Sequence, residues 1–65
     1  MLRLSVKGME KLNAIADKYR FRNQYEIEQE EVRDFCTLFI RCANLGLNVD
    51  NEDYTFIMDV IDKLS

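Results

Sequence analysis

The sequence predicts an all-α fold: a small three-helix chain with a long central helix that assembles into a helical homo-oligomer. Three observations carry this expectation. Apolar residues recur at helical spacing in three segments, and each later segment has its own capping residue. The 48% hydrophobic content, with seven aromatics and no Pro, is that of a folded chain and not a disordered one. Two of the three segments also carry more apolar surface than so short a chain can cover. In residues 35–45, Phe35, Cys36, Leu38, Phe39, Ile40, Cys42, Ala43 and Leu45 sweep roughly 220° of a helix at 100° per residue.

The first helix is expected over about residues 6–20. Leu2, Val6, Met9, Leu12, Ile15, Ala16 and Tyr19 fall on one side, while Arg3, Lys7, Lys11 and Lys18 form a cationic ridge on another. Gly8 weakens it, because glycine costs about 1 kcal/mol relative to alanine inside a helix. The alternative is an α+β fold with a short N-terminal strand, in which Leu2, Leu4 and Val6 alternate with Arg3, Ser5 and Lys7 before a turn at Gly8.

The second helix is expected to begin after Asn23, with Glu26 closing a capping box and Glu26, Glu28, Glu30 and Glu31 placed near the positive end of the helix dipole. Residues 18–28 also alternate, with Tyr19, Phe21, Tyr25 and Ile27 on one side, but Asn23-Gln24 is a weak turn and the helix is preferred. Gly46 is the expected C′ stop, with Leu47 folding back in a Schellman arrangement. About 22 residues at a 1.5 Å rise give a helix of roughly 33 Å. A third helix follows over about residues 51–64, capped by Asp50, with Val49 and Tyr54 placed for a hydrophobic staple. Its apolar arc (Tyr54, Phe56, Ile57, Met58, Val60, Ile61, Leu64) covers roughly 200°, and Asp59 and Lys63 form an i,i+4 pair on the solvent side.

A single small core supplies little net stability, and domains of this size rely on disulfides, metals or oligomerisation. Cys36 and Cys42 sit about 120° apart on one helix, too distant to bridge, and the chain contains no His to complete the common zinc sets. Oligomerisation is the remedy left. Phe35, Leu38, Phe39, Ile40, Phe56, Ile57, Val60 and Ile61 are therefore expected to form the core and the oligomer or partner interface.

Charge divides unevenly. Residues 1–22 carry six cations against two acids, a net +4, whereas residues 23–65 carry three cations against ten acids, a net −7. Such halves pair with each other, within a chain or between chains, or present a basic arm to an anionic partner. Arg3, Lys7, Lys11, Lys18, Arg20 and Arg22 are the candidate anion-binding residues, with Tyr19 or Phe21 available to stack on a base. Helix-end cations over core-anchored aromatics account for the same pattern and are preferred.

Catalytic chemistry finds little support. A Ser or Cys nucleophile lacks a His base, and both cysteines lie on an apolar arc where they act as small hydrophobes. Glu26, Glu30 and Asp34 share a helix face at four-residue spacing, but the Glu-x-x-His partners of a di-iron site are missing, so a solvated acidic face is expected. Residues 48–59 resemble a calcium loop only superficially, with Asp53 at the glycine position and Asp59 where Glu belongs. No catalytic residue, metal site or cofactor is expected.

No apolar run exceeds three residues, so neither a signal peptide nor a membrane span is expected, and free cysteines fit a reducing cytoplasm. The functional expectation is a non-enzymatic cytoplasmic regulator or inhibitor that binds itself and another protein. The alternative is a binder of nucleic acid or an anionic ligand through the basic N-terminal segment.

Overall fold

The computed structural model describes residues 4–21 and 26–64, and these form an all-α fold of three helices. Helix α1 spans Val6–Lys18, α2 spans Val32–Asn44 after a 3₁₀ turn at Gln29–Glu31, and α3 spans Asn51–Leu64. No strand occurs among the described residues, and Leu4 and Ser5 lead directly into α1. Leu2 and Arg3 of the N-terminal strand alternative lie outside the described residues; from Ser5 onward helix replaces it, because the Ser5 hydroxyl accepts the Gly8 N–H at 3.1 Å and caps α1. Gly8 suits this cap: a Cβ there would stand 3.3 Å from Ser5 Oγ and 3.4 Å from a Leu4 methyl.

Helix α1 ends in a Schellman motif. The Phe21 N–H donates to the Ala16 carbonyl at 2.7 Å, and the Arg20 N–H to that of Asp17 at 3.1 Å. Arg20 takes the left-handed φ of 61° that this motif demands, a conformation glycine adopts without strain. The turn aims Phe21 back at the core, where its ring meets Phe39 edge-on at 5.4 Å and Phe35 at 6.0 Å. Tyr19 packs edge-on against the same Phe39 at 5.4 Å.

The long central helix is corrected. Asn23 lies outside the described residues, but residues 26–28 are not helical, Glu28 is extended, and the helical path begins with a capping box between Glu28 and Glu31. The Glu28 N–H donates to the Glu31 carboxylate at 2.9 Å. Two long-range amide contacts hold the preceding segment open. Asn13 Oδ1 accepts the Ile27 N–H at 2.8 Å, and Gln29 takes both backbone groups of Leu4, at 3.2 and 3.0 Å. These bonds satisfy the non-helical backbone as a strand neighbour would, so helix loses its advantage there. Helix α2 is thus 13 residues, about 20 Å long.

Its C-terminus follows the expected form: Gly46 has a φ of 120°, and the Leu47 N–H reaches the Cys42 carbonyl at 3.0 Å. At the start of α3 the Asp50 carbonyl accepts the Tyr54 N–H at 3.0 Å, and Lys63 pairs with Asp59 at 3.1 Å. The α2 and α3 helices run antiparallel, with Arg33 near the start of one bonded to the Leu64 carbonyl at the end of the other at 2.7 Å.

The core consists of Leu12, Ile15, Ala16, Val32, Phe35, Cys36, Phe39, Ile57 and Val60. Phe39 is fully buried and touches aromatic rings on three sides. Replacing Phe39 with Ala should cost about 3–5 kcal/mol and leave the chain largely unfolded, read by urea titration of the circular dichroism signal. Replacing Arg20 with Gly should instead raise stability by about 0.5–1 kcal/mol, seen as a higher thermal midpoint, because the left-handed residue no longer carries a Cβ.

Candidate functional site

The eight apolar residues expected at an interface divide in two. Phe35, Phe39, Ile57 and Val60 are buried in the core of a single chain, covered by its own α1 and the Tyr19 and Phe21 rings. They are not surplus surface. Ile40, Phe56 and Ile61 are half-buried and pack against that core, and Leu38 alone of the eight is exposed, at 51%. Leu45, absent from the expected set, is the most open large apolar residue among those described, at 82%. Its signal was present, since it follows Leu38 by seven residues on the same helix.

Leu38 and Leu45 project from the outer side of α2, away from Val32 and Phe39. Between and beside them stand the exposed Arg41 and Asp34. Met58 on α3 is open at 43%, beside the half-buried Ile61 and the acids Asp59 and Asp62 in a shallow concavity. A groove of about 530 Å³ runs along α1, with an apolar floor from Leu4, Met9 and Ala14 and an acidic rim from Glu10, Asp17 and Glu26. Asn13 and Gln29 also line it, but both are engaged with backbone.

One cation of the basic segment, Lys18, pairs with the acidic half inside the chain. Lys18 Nζ donates to Asp50 and, at 3.0 Å, to Asp53. The Tyr19 hydroxyl donates to Asp53 at 2.8 Å and accepts the Asp50 N–H at 3.0 Å, so the end of α1 is tied to the start of α3. These bonds to Asp50 and Asp53 raise the Lys18 pKa above its ordinary value. Burial alone pushes the Asp53 carboxyl up, but the Lys18 and Tyr19 hydrogen bonds outweigh it and hold the group below its ordinary range. Lys11 lies over the Phe56 ring at 4.8 Å. Of the six candidate anion-binding cations, Arg3 and Arg22 lie outside the described residues, Lys18 and Lys11 have these partners, and Lys7 and Arg20 stand exposed on the surface. Tyr19 and Phe21 are half-buried and packed against the core, where their rings meet Phe39 edge-on.

Glu26 does not share a helical face with Glu30 and Asp34, because it sits in the non-helical segment before the 3₁₀ turn. Among the described residues no group of three metal-ligating side chains is gathered together. Cys36 is buried, which pushes its thiol up to about 12; such a thiol is a poor nucleophile near neutrality. No helix among the described residues is long and apolar enough to cross a membrane.

No protein-family model matches the chain, and neither a curated protein nor a solved structure does. The surface itself therefore carries the functional argument.

Asp53 has a lowered folded pKa, so its stabilising contribution is full above the ordinary aspartate range, about pH 4, and is lost as pH falls through the folded value. Urea midpoints measured between neutrality and pH 2.5 should fall less steeply in Asp53→Asn than in the unmodified chain. Equal slopes would mean that the Lys18–Asp53–Tyr19 contact adds nothing.

Proposed function

We propose that this protein is a small non-enzymatic regulator or inhibitor that self-associates and acts by binding another protein. The observation that carries the reading is the exposure of Leu38 and Leu45, two turns apart on one side of α2. A single exposed leucine is ordinary on any protein surface. Two at heptad spacing are the pattern by which helices pair.

Energetics set the strength expected. Burying one fully exposed leucine is worth about 1.5–3 kcal/mol, and with Leu38 at 51% and Leu45 at 82% exposure the leucines of two copies give about 4–8 kcal/mol. Association costs about 4–15 kcal/mol in lost freedom and side-chain ordering, so contacts bordering the leucines must add to the balance. A modest, concentration-dependent dimer follows.

The non-enzymatic part of the reading is supported by where the polar side chains go. Asn13, Gln29, Tyr19, Lys18 and Asp53 hold backbone or one another, and so serve the fold. A regulator needs only a shaped surface on a stable scaffold, and this chain spends its polar groups accordingly.

Light scattering over a hundredfold concentration range tests the proposal. The expected result is a mass that rises from one chain toward two or more. A monomer at every concentration would remove self-association from the reading.

A further inference from the structure

We infer that the outer face of α2 is the seam of self-association, and that it pairs antiparallel with α2 of a second copy about a two-fold axis close to Leu38. This inference rests on the self-association proposed above and supplies its geometry. Asp34, Leu38, Arg41 and Leu45 follow one another at four, three and four residues, so they fall in one stripe along the helix. All four are exposed. Phe35 and Cys42 border the stripe on its core side and are a further heptad-spaced pair; Phe35 is buried and Cys42 half-buried. In heptad terms, Phe35 and Cys42 occupy a, Leu38 and Leu45 occupy d, and Asp34 and Arg41 occupy g.

Charge decides who the occupant is and how it lies. Asp34 and Arg41 share the same heptad position, one turn before and one turn after Leu38. In an antiparallel pair the g positions of the two helices face each other across the seam. Asp34 then lies opposite Arg41 of the second copy, and Arg41 opposite the second copy's Asp34, giving two opposite-charge pairs around a central leucine contact. A parallel pair would instead bring g against e, which here is the buried Phe39, and the charges would find no partner. The stripe is complementary to itself only when reversed, which is the requirement of an isologous two-fold interface. Glu31 precedes Leu38 by one heptad, so the reversed pairing sets it opposite Leu45 of the second copy, with its carboxylate bonded to its own Glu28 N–H.

Charge reversal tests the seam on the full chain. Asp34→Arg and Arg41→Asp each place like charges opposite one another twice, so each variant alone should dimerise at least about tenfold more weakly than the unmodified chain. Mixed in equal amounts, the two variants should recover association as a heterodimer, because both opposite-charge pairs are re-formed. Leu38→Asp should be monomeric while keeping its helical circular dichroism signal, since Leu38 is outside the core. Sedimentation velocity of the four species and the mixture reads all of these outcomes. If the unmodified chain dimerises but the reversals do so equally well, or their mixture stays monomeric although both are folded, the seam is wrong and self-association uses another face. If the unmodified chain is itself monomeric throughout, the seam and the self-association fall together.

Discussion

The fold depends on one side chain having the right neighbours. Phe39, at the middle of α2, is sealed by Tyr19 and Phe21 from the end of α1 and by Phe35 from its own helix. Edge-to-face packing of this kind is worth about 0.5–1.5 kcal/mol per pair beyond the area it buries. Those neighbours arrive only because the chain reverses sharply after Lys18, and that reversal needs Arg20 in the left-handed region. Tyr19 then extends past Phe39 to the carboxylate of Asp53, which binds α3 into the same arrangement. A turn, an aromatic cluster and a hydrogen bond are therefore successive parts of one constraint.

The polar side chains complete what the small core leaves unfinished. Gln29 and Asn13 serve as backbone substitutes, holding Leu4 and Ile27 where no neighbouring strand exists among the described residues. Each such bond contributes only about 0.5–1.5 kcal/mol net, but leaving the same backbone groups buried and unpaired would cost more. The charge asymmetry of the two halves resolves in part the same way, through Lys18 and the two aspartates of the α3 entrance. The Lys18–Asp50 pair is exposed and adds more to alignment than to stability, whereas the Asp53 side chain is mostly covered.

Much of the architecture was legible because local signals agreed with the final packing. Gly46 and Leu47 specify a helix stop by backbone chemistry alone, and Asp59 with Lys63 needs only helical spacing. The start of α2 was not legible in this way. Asn23 and Glu26 satisfy a capping rule, yet residues 26–28 obey contacts with Asn13, fourteen residues from Ile27 and beyond the reach of any local pattern. The alternation of Tyr19, Phe21 and Ile27 was the truer signal, since all three face the core, but alternation usually means a strand. The apolar excess was overestimated for a related reason. An arc summed around one helix takes no account of aromatics that fold back from a turn, and Tyr19 and Phe21 cover Phe35 and Phe39 from there. Leu38 and Leu45 are what the fold leaves over.

The burial of Cys36 gives the molecule a built-in probe of its own opening. Its sulfur is fully enclosed and its thiol is held protonated, whereas the Cys42 side chain is half-open. A water-borne electrophile reaches the buried Cys36 sulfur when α2 separates from its neighbours, so the rate at which that sulfur is modified follows the population of the opened core. The chain thus carries, within its own core, an intrinsic reporter of how much of the time that core is open.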